Sequence, residues 1–328
     1  MTASAADLSD AAGEIAVVVR SGIVESRHRG HGVLVDPDGE VVASVGTPET
    51  PVFPRSSLKP WQAASIRRAG ARFSGAPLDG QALAITSGSH DGTERHVDLV
   101  RTMLADGGLG VGDLECPSAL PGSRSAMAAV LADGDDGHRA MHNCSGKHAG
   151  MLLACVANGW PTAGYLADEH PLQRQILDDV EAAVGAPVLA TVVDGCGAPQ
   201  HALRLVDLAR AGGRLGRGDE HERAVFDAMD AHPWAVAGPG REDTLALEAS
   251  TDIVTKTGAE GVQLVAGREG WAAVVKVADG AHRAAMTAAL ALFARSGIDV
   301  DAARTATREV VLGGGKPVGE VQPGSGLE

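Results

Sequence analysis

The sequence predicts an α+β fold in which an antiparallel sheet, assembled from both chain ends, is flanked by helices. Three observations predict it. Near the start, residues 14–20 are rich in β-branched side chains, and residues 32–36 and 40–44 flank the turn Pro37-Asp38-Gly39. Near the end, residues 262–266 and 271–277 are joined by Gly267-Arg268-Glu269-Gly270, a second hairpin signal. Between them the apolar residues recur at helical spacing. Hairpin, helices, hairpin, helix is not the strand–helix alternation of a parallel doubly wound sheet.

Taken in order, helices are expected over roughly 57–69, 79–86, 92–105, 147–158, 172–184, 200–211 and 219–231, with one strand at 188–193 and a last helix over 281–295. The 328 residues suit one large domain, expected over 13–312 with a central helical region. An N-terminal tail over 1–12 and an extended, Gly/Pro-rich C-terminal tail over 313–328 complete the expected division.

Composition narrows the function classes. Hydrophobic residues make up 44% of the chain, enough for a sizeable core, and aromatics only 3%, so that core must be built from Val, Leu and Ala. The net charge of −14 repels nucleic acid and anionic membranes, and neither is an expected partner. No run of about 18 apolar residues marks a membrane span. Residues 1–10 lack the basic and apolar regions of a signal peptide, so the cytoplasm is the expected compartment. Cys116, Cys144, Cys155 and Cys196 are then expected to be reduced, as core filler or metal ligands.

Of the 28 basic residues only five are lysine: Lys59, Lys147, Lys256, Lys276 and Lys316. Arginine cannot give up its proton in a protein, whereas a buried lysine can, so each lysine is a candidate base. Three of the five lie in motifs that carry chemistry.

Arg55-Ser56-Ser57-Leu58-Lys59-Pro60 contains an S-x-x-K pair at an expected helix start. A spacing of three on a helix brings the two side chains within reach, where a neutral lysine can take the serine proton. A helix cap followed by a solvated lysine has the same spelling. Lys256-Thr257-Gly258 leads into the C-terminal hairpin, and S-x-x-K followed by K-T-G is the pairing used by penicillin-binding proteins and serine β-lactamases. Their third element, Ser-x-Asn, has only a partial counterpart in Ser89-His90-Asp91. Asn143-Cys144-Ser145-Gly146-Lys147-His148 and Asp194-Gly195-Cys196-Gly197 gather thiols, an amine, an imidazole and a carboxylate in two Gly-rich loops. Such donors suit zinc, although the spacing matches no standard zinc motif. Buried structural cysteines, or Cys144 as a nucleophile, are the competing readings. Glu25, His28 and His31 read as a polar strand edge, Arg241 as a carboxylate binder or a partner of Glu242 or Asp243, and Lys276 as half of a salt bridge.

Together these segments resemble the L-asparaginase II family, the thermolabile rhizobial-type or class 3 asparaginases, from about residue 14 to residue 285. The residues that carry the resemblance include Arg20-Ser-Gly-Ile-Val-Glu-Ser-Arg-His-Arg-Gly30, Arg55-Ser-Ser-Leu-Lys-Pro60, Ser89-His90, Cys144-Ser-Gly-Lys-His-Ala-Gly150, His170-Pro171, Asp194-Gly-Cys-Gly-Ala-Pro199, His232-Pro233, Lys256-Thr-Gly-Ala-Glu-Gly261 and Lys276-Val-Ala-Asp-Gly280. The resemblance implies a fold similar to serine β-lactamases and glutaminases, hydrolysis of L-asparagine to L-aspartate and ammonia, and a homodimer. It implies two Ser–Lys pairs, Ser56–Lys59 and Ser89–Lys256; of the two serines, Ser56 is the expected nucleophile because S-x-x-K at a helix start is the better nucleophile geometry. It implies zinc on Cys144, Lys147 and Cys196 as an aid to substrate binding. Arg55, His90, His148 and Asp194 are the expected substrate-binding residues. With two lysines required neutral, a basic pH optimum is expected. Two readings compete: another Ser–Lys amide hydrolase, β-lactamase-like or glutaminase, and a non-catalytic zinc- or thiol-binding protein.

Overall fold

A computed structural model describes residues 11–327; residues 1–10, most of the expected N-terminal tail, lie outside the described residues. In chain order the elements are β1 (Gly13–Arg20), β2 (Ile23–Val35), β3 (Val41–Val45), β4 (Pro51–Val52), α1 (Lys59–Arg68), β5 (Arg72–Phe73), β6 (Ala76–Pro77), α2 (Gly80–Ser87), α3 (Glu94–Asp106), α4 (Arg124–Ala132), α5 (Ser145–Asn158) and α6 (Pro171–Val184). There follow β7 (Ala190–Val193), β8 (Pro199–Arg204), α7 (Leu205–Arg214), α8 (Glu220–Ala231), α9 (Pro233–Val236), α10 (Glu242–Ala249), β9 (Ile253–Gly258), β10 (Val262–Gly267) and β11 (Ala272–Val277). The chain closes with α11 (His282–Phe293), α12 (Asp301–Ala306), β12 (Val310–Gly313) and β13 (Lys316–Pro323).

The fold is α+β, and its main sheet is antiparallel and drawn from both chain ends. Its strands run in the order β12-β13-β1-β2-β11-β10-β9, with β3 paired to the second half of β2. The strands β9 to β11 are buried almost throughout because the sheet is covered on both faces. Val33, Val35, Leu264 and Val274 face the central helices, while Leu34, Val265, Ala273 and Val275 face α11. Small side chains on α11, Ala284, Ala285, Ala288 and Ala289, are fully or almost fully buried there, so the core closes with few aromatics.

Three expectations are corrected. Residues 313–328 are not an extended tail: β13 pairs with β1 from Ala16↔Pro323 to Arg20↔Gly319, and Val321 and Leu327 are buried. Gly314 and Gly315, both at positive φ, form the two-residue turn between β12 and β13, the conformation that favours Gly-Gly in tight hairpins. The expected helix over 200–211 is a strand followed by a helix, because residues 199–202 pair with β7 and Leu203 and Arg204 with β4 before α7 begins. Lys256-Thr257-Gly258 does not merely lead into a hairpin but is the end of β9, an edge strand. The helices α4, α9, α10 and α12 lie outside the helices the sequence predicts.

Among the described residues no helix is long and apolar enough to cross a membrane.

Candidate active site

Residues 55–58 form a 3-10 turn that runs directly into α1. Every residue of α1 from Lys59 to Ile66 is buried, so this helix lies inside the domain and its first residue begins deep in it. Lys59 is 1% exposed; its Nζ donates to the carbonyls of Gly88 (2.5 Å) and Asn143 (3.5 Å) and to the Ser89 hydroxyl (3.0 Å). The expected Ser56–Lys59 bond is not formed, and the lysine is joined to Ser89 instead. The i,i+3 rule holds within an α-helix, but Ser56 sits in the turn before α1, and Arg55 enters that turn at φ +54°. Such a backbone is uncommon for a residue with a Cβ.

Ser89 follows α2 on a loop held by Ser89 N–H to Val236 O (2.6 Å) and Asp91 N–H to Ala237 O (2.8 Å). Gly88 is required there, since a Cβ would lie 2.6 Å from Ala235 O and 2.8 Å from Val236 O. His90 is buried with both ring nitrogens occupied: Nδ1 accepts from Gly92 N–H (3.1 Å), and Nε2 lies 3.0 Å from Ser145 Oγ. Burial and the neighbouring His96, Lys59 and His142 hold its ring well below the usual histidine range, so it is neutral at pH 7. It pins the Ser89 loop to the start of α5.

Lys256 falls on the face of β9 that meets the central helices, and it is fully buried. Its Nζ donates to Thr257 O (2.8 Å) and lies 3.7 Å from Asp243 Oδ2. Burial brings its pKa down to about 8; Asp243 opposes the shift and Lys59 adds to it. A Cβ on Gly258 would collide with Pro54 O and approach Ser57 N, so this glycine lets β9 cross the 55–58 turn. Ser56, Ser89, His90 and Lys256 thereby line one cleft of about 540 Å³, with Lys59 behind Ser89. The expected Ser89–Lys256 hydrogen bond is not present among the described contacts.

Beside this cleft lies a sulfur cluster. Gly146 and Gly150 let α5 pack directly on α2, since a Cβ at either position would press on Ile85 or Thr86 at 2.5–2.8 Å. That packing buries Cys144, Lys147 and His148 at the helix start. The hairpin between β7 and β8, closed by Asp194 N–H to Ala198 O (2.9 Å), delivers Asp194 and Cys196. Lys147 Nζ lies 3.4 Å from Cys196 Sγ. The hydrogen bond between the two thiols holds Cys144 well below the usual thiol range, with Lys59 and Lys147 helping, and raises Cys196. Cys116, for which the sequence offers no role, is pushed up to about 12 by burial and by the charges of Cys144 and Cys196.

His148 is fully buried behind this cluster. The hydroxyl of Tyr165 accepts from Glu115 N–H (3.0 Å) and therefore donates to His148 Nδ1 (2.7 Å), which leaves Nε2 carrying the proton and without a partner. The Cys196 sulfur is close enough to influence this ring without completing a hydrogen bond, and burial lowers its pKa to about 4. Arg55 Nε donates to Asp194 Oδ1 at 2.6 Å, joining the turn of Ser56 to the loop of Cys196. Burial works against ionisation of Asp194, but Arg55 and the Gly195 amide outweigh it and keep the carboxyl below its usual range.

Two acidic residues of the cleft read in the sequence only as possible partners of Arg241. Asp243 is 3% exposed and accepts from Thr255 Oγ1 (2.9 Å), Thr257 N–H (2.9 Å) and Gln263 Nε2 (3.2 Å). Glu242 has its carboxyl pushed up to about 7 by burial, then by the charges of Asp243 and Glu309. Arg241 pairs with neither of them but lies 3.5 Å from Asp91. Lys276 forms no expected salt bridge; it donates to the carbonyls of Val277 (2.8 Å) and Glu260. His31 is buried and accepts from Thr47 N–H (2.8 Å), and His28 lies 3.3 Å from Asp279, so neither belongs to the cleft.

Among the described residues no group of three or more His, Cys, Asp or Glu side chains is set out to hold a metal. The third donor beside Cys144 and Cys196 is an amine, that of Lys147.

The chain resembles solved structures at low identity. A β-lactamase from Mycobacterium bovis is 16% identical, with a TM-score of 0.45 over 82% of this chain and 95% of that one. A protein named Mglu, in its native form, is 12% identical, with a TM-score of 0.45 over 83% of this chain and 65% of that one. The chain thus spans less than two thirds of Mglu. A probable glutaminase, YbaS, is 14% identical, with a TM-score of 0.37 over 83% of this chain and 86% of that one. No curated relative matches the sequence. The model of the family L-asparaginase II matches residues 16–323, from within β1 to the last residue of β13 and across every loop that lines the cleft. The chain therefore belongs to the L-asparaginase II family.

Proposed function

We propose that the protein hydrolyses L-asparagine to L-aspartate and ammonia, with serine nucleophile and lysine base. The observation that carries this reading is the Lys59 Nζ–Ser89 Oγ bond of 3.0 Å beside a cleft that Ser56 and Lys256 also line. Ser56 attacks the side-chain amide carbon, and Lys59, in its neutral form, takes the Ser56 proton. The C–N bond then breaks. Ammonia leaves with a proton delivered through Ser89, which is bonded to Lys59, and from the Lys256 side of the cleft. Water hydrolyses the aspartyl ester by the reverse relay. Main-chain N–H groups around Ser56 hold the oxyanion, and one such donor is worth about 3 kcal/mol of barrier. Arg55 and Asp194 orient the ammonium and carboxylate of the substrate from one side of the cleft.

The donor chemistry of Cys144, Lys147 and Cys196 fits zinc: two buried sulfurs are hydrogen-bonded to each other, and a buried amine lies against one of them. These three residues would hold the ion, with the unpartnered Nε2 of His148 behind them. When bound, zinc would supply a fixed positive charge that anchors the substrate. The reading also takes the protein as a cytoplasmic homodimer.

The test is ammonia release from L-asparagine and L-glutamine, side by side, by the wild type and by Ser56→Ala. Release from asparagine that vanishes in the variant supports the reading. Release from neither amide, with zinc supplied, refutes it and favours turnover of a chromogenic β-lactam or metal binding alone.

A further inference from the structure

The buried Asp243 carboxylate has no part in the relay just described, yet it is the group of opposite charge that faces Lys256. It belongs to the first turn of α10, where the helix dipole favours an anion. Its two oxygens are divided between tasks. Oδ1 accepts from Thr255 Oγ1 and Gln263 Nε2, which fixes the carboxylate plane against β9 and β10. Oδ2 accepts from Thr257 N–H and faces Lys256 Nζ at 3.7 Å. Thr255 and Thr257 flank Lys256 on β9, so the carboxylate grips the strand on both sides of the lysine it faces.

We propose that Asp243 is a positioning residue of the active site: its carboxylate, locked by Thr255, Thr257 and Gln263, holds the Lys256 amine in the cleft and governs its protonation. This rests on the Ser–Lys reading above. The other groups acting on Lys256 are Lys59 from α1, Cys144 from the loop before α5 and Arg241 from the loop before α10. His282, at the start of α11, also responds to the charges of Lys256 and Asp243. Lys59 and Arg241 disfavour a charged Lys256, and Asp243 and Cys144 favour it. Removing the Asp243 charge therefore lets Lys256 lose its proton at lower pH. An opposite charge at this range moves such a pKa by about one unit or more.

The experiment reads Lys256 directly. The whole protein, with lysine ¹³C-labelled at Cε, has only five lysine signals, and Lys256→Met identifies the one from Lys256. Wild type, Asp243→Asn and Asp243→Glu are titrated by NMR, and the pH dependence of kcat and KM for L-asparagine is measured on the same samples. In Asp243→Asn the Lys256 midpoint is expected to fall by about one unit or more, with the corresponding limb of the kcat profile moving by the same amount and KM little changed. Asp243→Glu is expected to restore part of both. An unchanged midpoint in folded Asp243→Asn overturns the proposal, whatever happens to kcat. Should that variant not fold, Asp243→Glu decides: its displaced carboxylate must move the midpoint, and an unmoved midpoint overturns the proposal. If the wild type releases no ammonia while the midpoint still shifts, the asparaginase reading fails and the positioning role stands.

Discussion

The side-chain nitrogen of Lys59 lies 3.0 Å from the hydroxyl of Ser89, and two main-chain carbonyls, those of Gly88 and Asn143, take its other hydrogen bonds. Ser89 is thus the only hydroxyl with which Lys59 shares a hydrogen bond among the described residues, the Cys144 sulfur being its other side-chain neighbour. A proton accepted by Lys59 from Ser56 has a hydroxyl through which to continue toward a leaving group. Ser89→Ala is therefore expected to lower kcat by about 10²–10⁴-fold, the range for loss of a positioned proton-transfer group, with a smaller change in KM. Steady-state ammonia assays check it. A kcat within a few-fold of wild type would remove Ser89 from the relay.

Lys256 sets a pH dependence. Its pKa is brought down to about 8, so the neutral form becomes dominant above that pH. If the relay uses neutral Lys256, kcat is expected to rise through about pH 8 and level off above it. A rate that is flat from about pH 6 to 10 would contradict a lysine base.

Glu242 sets a stability dependence of the opposite sense. Its carboxyl binds a proton more tightly in the folded state, with a pKa of about 7 against an ordinary 4.5. The folded state then holds more protons than the unfolded one between those values, so stability falls as pH rises through that window. Glu242→Gln is expected to match the wild type near pH 4 and to exceed it by about 1–2 kcal/mol at pH 8, after allowing for partial exposure. Urea unfolding at the two pH values measures the difference; an equal difference at both would contradict the assignment.

Arg55 combines strain with an ion pair. Its φ of +54° costs about 1 kcal/mol or more for a residue with a Cβ, and its side chain meets Asp194 at 2.6 Å. Arg55→Gly is expected to leave thermal stability within about 1 kcal/mol of wild type, since relief of strain offsets the lost pair. The same change is expected to raise KM for asparagine. Unchanged KM would take Arg55 out of substrate binding.

The C-terminal strand is part of the domain core. Ending the chain at residue 315 exposes the edge of β1 and removes buried Val321 and Leu327. At about 1.5–3 kcal/mol for each large apolar side chain, the loss is expected to reach at least about 3 kcal/mol. Denaturant unfolding of the shortened chain tests this.

Local spelling carried some of these features and not others. The scarcity of lysine picked out Lys59, Lys147 and Lys256, and the structure buries all three around one cleft and the sulfur cluster next to it. The strand signals of β1, β2, β10 and β11 were readable because their β-branched runs are long and their turns are marked. The partner of Lys59 was not readable. A spacing of three joins side chains only on a continuous helix, and the turn at 55–58 breaks that geometry. Residues 199–204 share their composition with the helix that follows, and only pairing with β7 and β4 makes them a strand. The Gly314-Gly315 turn falls within what reads as an extended tail, since β1, the partner of the strand after it, lies almost the whole chain away. Asp243 reads in the sequence only as a possible partner of Arg241, because nothing in Arg-Glu-Asp-Thr tells which carboxylate will be buried.

The most direct test of the central claim is to identify the acylated residue. The enzyme is mixed with L-asparagine, quenched in acid within one turnover, digested, and its peptides mapped by mass spectrometry. An aspartyl ester on Ser56, absent when Ser56→Ala is treated in the same way, is the expected result. An ester on Ser89 or a thioester on Cys144 would contradict the assignment of Ser56 as nucleophile.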